Sequence, residues 1–174
     1  LPLLFDPGTE WNYSYSTDVL GRLIEVMSGL SLDVYLQRNI FDPLEMVDTG
    51  FSVPRDKHER FASCYYPNGK AKQAVLLDDA QRSQYLSEPE AFSGGGGLVS
   101  TLADYHRFTQ ALRNGGSLNG KRIVGRKTLE FMVCNHLPGG VDLTKYGRPL
   151  FSETAYDGVG FGLGFSVVVD PAKA

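Results

Sequence analysis

Four consecutive glycines, Gly94 to Gly97, stand near the middle of this 174-residue chain. Such a run cannot form the interior of a stable helix or strand, because glycine loses more backbone freedom on folding than any other residue. A phosphate-binding loop would need a Lys-Ser or Lys-Thr pair after the glycines, or a G-x-G-x-x-G pattern with a ribose-binding acid downstream. No such pair follows them, and no such pattern is present. The run therefore predicts a tight loop whose backbone packs closely against a helix.

A helix is predicted directly behind the glycine loop, over about residues 102–113. Thr101 and Asp104 have the [ST]-x-x-[DE] spacing of a capping box. The turn formers at 114–116, Asn-Gly-Gly, end the segment. Apolar side chains that share one face of this helix are Leu102, Tyr105, Phe108 and Leu112.

Two further helices, joined as a helical hairpin, are predicted before the glycine loop. The first follows Ser16, and Gly29 lies where a C-terminal cap belongs. The second opens at Ser31 as its N-cap and stops before Pro43, because proline disfavours helix in the residue before it. The apolar residues at helical spacing in the first helix are Val19, Leu20, Leu23, Ile24 and Met27.

Signals for β structure are weaker and lie mainly towards the end of the chain. A short strand is predicted over residues 61–66, ending at the Pro-Asn-Gly turn of 67–69. Residues 158–169 alternate glycine with apolar side chains, which is typical of a strand, and no partner strand for them is evident. A short helix is predicted over about 126–135. The predicted fold class is α+β, mostly helical, with short β segments and a C-terminal strand.

Charge and hydropathy exclude two classes of partner. The net charge is −3 and no run of Lys or Arg exceeds two, so a nucleic-acid surface is not expected. The longest apolar stretch, 161–169, is broken by glycines and has about half the length that a membrane-spanning helix needs. Residues 1–5 have neither the basic flank nor the cleavage site of a signal peptide.

The metal-binding residue types are sparse. Cys64 and Cys134 are far apart and form no C-x-x-C pair, which favours two buried free thiols, with a disulfide as the alternative. His58, His106 and His136 show no H-E-x-x-H or H-x-H pairing, whereas a metal site needs at least three converging ligands. Neither a metal nor an organic cofactor is expected.

Motifs for nucleophilic catalysis are absent from the printed residues. There is no G-x-S-x-G elbow, and none of the seven lysines is preceded by Ser or Thr three positions earlier. The acidic residues offer no marked pair for glycoside hydrolysis. The remaining candidate is Tyr13-Ser14-Tyr15, just after Trp11. Composition alone favours core aromatics of a loop-to-helix junction at these positions.

Segments along the whole chain, taken in order, resemble the serine β-lactamase-like hydrolases: class C β-lactamases, D-Ala-D-Ala peptidases and especially family VIII carboxylesterases. The segments that carry the resemblance are 7–14 (PGTEWNYS), 18–25 (DVLGRLIE), 40–49 (IFDPLEMVDT), 93–105 (SGGGGLVSTLADY), 114–120 (NGGSLNG), 135–138 (NHLP) and 160–165 (GFGLGF). The resemblance implies the middle portion of that fold. Residues 1–157 would form most of its helical lobe, and 158–174 would begin the sheet of its α/β lobe.

The resemblance also implies site residues. That family uses a Ser-x-x-Lys motif, a Tyr-x-Asn motif that is often Tyr-Ser-x in the esterases, and a Lys-Thr-Gly or Trp-Gly-Gly-type strand. Tyr13 matches the catalytic tyrosine, and Tyr15 stands where lactamases place asparagine, as a substrate-binding wall of the acyl pocket. The other two motifs would lie upstream of Leu1 and beyond Ala174. Glu45 departs from the pattern, since relatives commonly have glycine there, and this indicates a local loop difference.

Two functional hypotheses follow. In the first, the chain is a fragment of a serine hydrolase that acts on carboxylic esters, or on β-lactams, through an acyl-serine intermediate, and it is inactive alone. Tyr15 in place of asparagine favours esters, because the amide suited to a lactam side chain is gone. In the second, it is a non-catalytic helical binding module on the same scaffold. Association with itself or with the rest of such an enzyme is expected through an unpaired apolar strand edge.

Overall fold

The computed structural model describes residues 2–68, 73–147 and 156–174. Within these ranges the helices are α1 (Ser16–Ser28), α2 (Leu32–Leu36), α3 (Asp42–Leu44), α4 (Leu102–Arg113), α5 (Arg126–Met132) and α6 (Leu143–Tyr146). The strands are β1 (Cys64–Asn68), β2 (Gln73–Asp78), β3 (Ser117–Leu118), β4 (Lys121–Arg122), β5 (Val159–Phe161) and β6 (Ser166–Val168). Consecutive strands pair as three antiparallel hairpins. The chain is a mostly helical α+β structure, as predicted.

The chain divides into two compact units. Leu1–Tyr15 and Ala111–Ala174 form the terminal unit, and Ser16–Gln110 form the central unit. The buried apolar side chains of the terminal unit are Ala111, Leu129, Leu137 and Leu143. Those of the central unit are Leu32, Phe41, Leu44, Met46 and Phe51. The lobe boundary expected near residue 158 stays a prediction.

The central unit begins with a helical hairpin, as predicted, but the second helical segment of this hairpin extends beyond the predicted end. Gly29 caps α1 with a positive φ of 71°, which glycine adopts without a steric penalty. After α2, a wide π turn (Gln37–Phe41) leads directly into α3, which contains Pro43. The prediction that the helix stops before Pro43 is wrong. Pro43 lies at the start of the short α3 segment, a position at which proline is common.

The glycine loop packs its backbone on α1, which confirms the reading of the glycine run. A Cβ on Gly94 would overlap the Thr17 carbonyl oxygen and lie 2.9 Å from the Gly21 nitrogen. Gly21 is itself buried, and a Cβ there would lie 3.0 Å from the Gly94 Cα. The Ser93 hydroxyl donates to the Asp18 carboxylate and so ties the loop to the first turn of the helix.

Helix α4 has the predicted bounds, but only half of the predicted capping box. The Asp104 N–H donates to Thr101 Oγ1 over 3.2 Å. The buried Asp104 carboxylate instead accepts from the Asp48 N–H (2.7 Å) and from Thr49 Oγ1 (2.9 Å). Leu102, which leads the predicted apolar face, is 91% exposed. The Asp104 carboxylate therefore links the start of α4 to residues 48 and 49 of the central unit.

The strands differ from the sequence prediction in two places. Strand β1 begins later than predicted and includes Pro67, which pairs with Ala74 of β2. A two-stranded sheet tolerates proline because a strand edge does not require every N–H. Gly69 of the predicted turn lies outside the described residues. At the C-terminal end, β5 and β6 pair with each other, so the expectation that this tail has no partner strand is wrong. The chain reverses between the two strands, where Gly164 has φ of 87°.

The two cysteines are free, and both are exposed. The expected burial is therefore wrong. Cys64 opens β1 of a two-stranded sheet, and Cys134 follows the end of α5, so neither sulfur lies under a second layer. The Cys134 thiol donates to the Glu130 carbonyl over 3.2 Å.

Glu45 occupies a backbone position that suits glycine. It follows α3 with φ of 54°, and its carboxylate pairs with Arg107 at 3.0 Å. Left-handed backbone costs a residue with a Cβ roughly 1–2 kcal/mol. We expect Glu45→Gly to be more stable than Glu45→Ala by about 1 kcal/mol in denaturant unfolding, because both lose the exposed ion pair and only glycine relieves the backbone. Equal stabilities of the two variants would contradict this explanation.

Candidate functional site

The two tyrosines singled out in the sequence lie on an exposed loop of the terminal unit. Tyr13 is 60% exposed and Tyr15 is 68% exposed. The expectation from composition that they are core aromatics is therefore wrong.

Trp11 anchors this loop to the terminal unit. Its backbone N–H donates to the Tyr146 carbonyl at the end of α6 over 3.1 Å, and its backbone forms a parallel β-bridge with Gly147. Its ring packs on Phe161 of β5, with the centroids 5.0 Å apart and the planes at 60°. Tilted aromatic pairs of this kind contribute about 0.5–1.5 kcal/mol beyond their burial. Backbone and side chain of Trp11 are thus both held, two residues before Tyr13.

The segment before Trp11 is fixed as well. The Tyr146 hydroxyl donates to the Gly8 carbonyl, and a turn closes between the Thr9 N–H and the Asp6 carbonyl over 3.1 Å. Helix α6 therefore contacts the loop through both its last carbonyl and its last side chain. The loop is held at the residues that precede Tyr13, and Tyr13 and Tyr15 themselves are largely exposed.

A separate cavity lies within the central unit. Its volume is about 610 Å³, which is within the range of about 300–1,000 Å³ typical of small-molecule sites. Asp33 lines it, and the Oδ1 of Asp33 is buried without a hydrogen-bond partner among the described residues. Side chains that form its apolar wall include Val34, Phe41, Phe51 and Phe92. No pattern in the sequence predicted this cavity.

A charged cluster borders the cavity at Asp48. Arg60 donates to both carboxylate oxygens of Asp48 (3.1 and 2.7 Å), and Lys57 lies 2.8 Å from it. These hydrogen bonds, first from Arg60 and then from Lys57, lower the pKa of Asp48 to about 2. Lys57 and Arg60 are three positions apart in a 3₁₀ turn, Arg55–Arg60, where residues at i and i+3 eclipse. The three-residue spacing of Lys57 and Arg60 could have indicated that their side chains lie on one side of the turn. It could not have identified Asp48 as the acid that both contact.

The depressed pKa of Asp48 gives a pH dependence with a definite sign. Because the folded-state value lies below the ordinary 3.8, the stabilisation is present above pH 3.8 and is lost as pH falls towards 2. We expect Asp48→Asn to lower the Tm at pH 7, and this difference from wild type to shrink between pH 3.8 and about 2. Asp56→Asn, at an exposed acid of the same turn, is the control. A difference that is constant with pH would contradict the ion-pair account.

Neither a cluster of metal-binding side chains nor a membrane-spanning helix is present among the described residues. No group of three or more His, Cys, Asp or Glu side chains there is placed to bind a metal ion. None of the helices in the described ranges is both long and apolar enough to cross a bilayer.

Solved structures define the class of fold. Unliganded, selenomethionyl simvastatin synthase (LovD) from Aspergillus terreus superimposes with a TM-score of 0.80 at 25% identity, over 98% of this chain and 43% of that one. EstCE1, described as a hydrolase with promiscuous acyltransferase activity, gives a TM-score of 0.69 at 25% identity, over 99% and 44%. The fold is therefore the β-lactamase/transpeptidase-like fold of these proteins.

Sequence comparison then identifies the family. The Beta-lactamase family matches residues 1–173, and the chain belongs to this family. Protein Rv1367c of Mycobacterium tuberculosis is 33% identical over 175 residues, covering all of this chain and 42% of that protein. Esterase EstB of Burkholderia gladioli is 30% identical over 188 residues, covering 99% and 43%. The chain thus spans less than half the length of these relatives.

Proposed function

We propose that this chain is part of a serine hydrolase that cleaves carboxylic esters through an acyl-serine intermediate, with Tyr13 as the proton-transfer residue and Tyr15 as a wall of the acyl pocket. The observation that carries the proposal is that Tyr13 is an exposed residue two positions after Trp11, which is held by both its backbone and its ring. Membership of the β-lactamase family, whose relatives here include an esterase, supports it.

In this proposal the role of Tyr13 is to transfer the proton of the catalytic serine. A tyrosine phenol has an ordinary pKa near 10, so only about 0.1% is ionised at neutral pH. A nearby cation favours the phenolate, which then accepts the serine proton while the serine oxygen attacks the ester carbonyl. The proton passes to the departing alkoxide, and water then cleaves the acyl-serine. The serine and the lysine would come from a Ser-x-x-Lys motif, which these 174 residues do not contain.

Esters are proposed ahead of β-lactams as substrates. Tyr15 places an aromatic ring where an asparagine amide would offer a donor and an acceptor to a lactam side chain. An acyl-serine intermediate can also pass its acyl group to an alcohol instead of water. EstCE1, described as a hydrolase with promiscuous acyltransferase activity, makes this second outcome part of the proposal.

The proposal predicts a difference between this chain and its parent protein, meaning a polypeptide that contains this chain together with the nucleophile motif. The isolated 174-residue chain is expected to show no turnover of p-nitrophenyl esters or nitrocefin, because the nucleophile is absent. The parent should hydrolyse the ester faster than nitrocefin. Turnover by the isolated chain that survives repurification and titrates with one covalent serine label per chain would overturn this assignment.

The cavity of the central unit favours a second candidate, a non-catalytic module that binds a small molecule. The unpartnered Asp33 oxygen suits a ligand with an N–H donor, and the aromatic wall suits an apolar group. Saturation-transfer NMR with phenethylamine tests this candidate on the isolated chain. Binding that Asp33→Asn weakens would support it, and absence of binding at millimolar ligand would remove it.

A further inference from the structure

Asn135, which follows α5, connects three segments of the terminal unit through its side chain. Its Oδ1 accepts from the Phe161 N–H (3.1 Å) and from the Leu137 N–H (3.2 Å). Its Nδ2 donates to the Val141 carbonyl over 2.9 Å. A part-buried amide that uses its donor and its acceptor in this way fixes the relative positions of its partners.

Strand β5 lies directly against this amide. A Cβ on Gly160 would fall 2.5 Å from both Cγ and Oδ1 of Asn135, and Gly160 is buried. The strand therefore has no room to shift towards Asn135. Glycine at this position is required by the close approach of the side chain.

The partners of Asn135 lead to Trp11 by two routes. Phe161, whose N–H binds Asn135, packs its ring on Trp11. Val141, whose carbonyl binds the same amide, lies two residues before α6, and the last carbonyl of α6 accepts the Trp11 N–H. The ring and the backbone of Trp11 thus rest on two elements that one side chain holds together.

We propose that Asn135 is a positioning residue for Tyr13, acting through Phe161, α6 and Trp11. The inference rests on the proposed function, in which Tyr13 transfers a proton. A transferring group must be held within about 0.5 Å of its productive position, and a misplacement of about 1 Å can cost 10²-fold in rate. Tyr13 lies on a loop, so this accuracy must come from the elements that anchor the loop.

Trp11 is the only tryptophan of the chain, so its fluorescence reports directly on the anchor. We expect Asn135→Ala to shift the Trp11 emission of the folded chain to longer wavelength, because the ring loses its fixed partner. Asn135→Asp keeps an oxygen that accepts from Phe161 and Leu137 but cannot donate to the Val141 carbonyl, so its emission should lie between those of Asn135→Ala and wild type. Asn114→Ala, at an exposed asparagine of the same unit, is the matched control. Unchanged emission in Asn135→Ala would overturn the inference.

Kinetics of the parent protein separate positioning from structural support. We expect Asn135→Ala to lower kcat by roughly 10–10²-fold with little change in KM, and Asn135→Asp, which keeps the acceptor but loses the donor to Val141, to recover part of the loss. Phe161→Leu leaves the Asn135 hydrogen bonds in place and should lower kcat similarly, which covers the case in which Asn135→Ala does not fold. If Tyr13→Phe has a strongly reduced kcat while Phe161→Leu or folded Asn135→Ala keeps the wild-type kcat, the inference is overturned and the proposed function is not. Wild-type kcat in Tyr13→Phe overturns the proposed function and the inference with it.

Discussion

Replacing Tyr13 with phenylalanine in the parent protein is expected to lower kcat by roughly 10²–10⁴-fold, the usual contribution of a positioned acid–base group. The fold should be almost unaffected, because the ring remains and only the hydroxyl is lost. The free energy of unfolding should fall by no more than about 0.5–1.5 kcal/mol, the net value of one hydrogen bond. Both quantities, kcat and Tm, are measured on the same preparation.

Tyr15→Phe is the matched control for this substitution. It removes a hydroxyl from an equally exposed ring of the same loop, and a wall of the acyl pocket needs the ring more than the hydroxyl. We therefore expect its kcat to stay within about threefold of wild type, far from the range for an acid–base group. If Tyr13→Phe keeps more than about a tenth of wild-type turnover, its loss falls short of that range, and Tyr13 is not the catalytic tyrosine.

Gly94→Ala is expected to cause the largest loss of stability among the substitutions considered. The added methyl would overlap the Thr17 carbonyl oxygen and approach the Gly21 nitrogen to 2.9 Å. These are backbone atoms, so relief requires the glycine loop to move away from α1. We expect a loss at or above the upper end of about 1–3 kcal/mol, the usual cost of overpacking, measured as a fall in the urea midpoint.

Gly96→Ala in the same glycine run is its control. Nothing lies within 4 Å of a Cβ on Gly96, and its φ is not positive. Alanine there should be neutral, or stabilising by up to about 1 kcal/mol through the unfolded state. Equal effects at Gly94 and Gly96 would show that the loop does not pack on α1 as the structure has it.

The parts of the fold that could be predicted from sequence are those set by local signals. The bounds of α1 and α4 follow from Ser16, Gly29 and Thr101, because capping and helical periodicity act within a few residues. The packing of the glycine run on a helix was predictable because few other environments favour four glycines together. Which helix it contacts was not predictable, since Gly21 is far from Gly94 in sequence.

The parts that could not be predicted depend on long-range contacts. Asp104 fits a capping box by spacing, yet its carboxylate binds Asp48 and Thr49 instead. Asp104 and Ala111 are the buried side chains of α4, while Leu102 remains exposed. The division of residues 158–169 into two paired strands likewise depends on a chain reversal that the alternating pattern does not mark.

The candidate site shows the same division. Composition predicted Trp11, Tyr13 and Tyr15 as one group of core aromatics, whereas Trp11 packs on Phe161 and the two tyrosines are largely exposed. The role of Tyr13 was inferred from the resemblance to a family motif, and it remains a proposal. The supports of its loop, Asn135 and Phe161, could not be found from sequence because they lie more than 120 positions beyond Trp11.

Intact-mass spectrometry of the parent protein during turnover of p-nitrophenyl acetate tests whether this chain supplies the tyrosine but not the nucleophile of an acyl-serine hydrolase. We expect one acetyl group per protein, located by peptide mapping on the serine of a Ser-x-x-Lys motif outside these 174 residues, and we expect it to form much more slowly in Tyr13→Phe. Turnover without an acetylated intermediate, or an acetyl group on a serine within this chain, would contradict it.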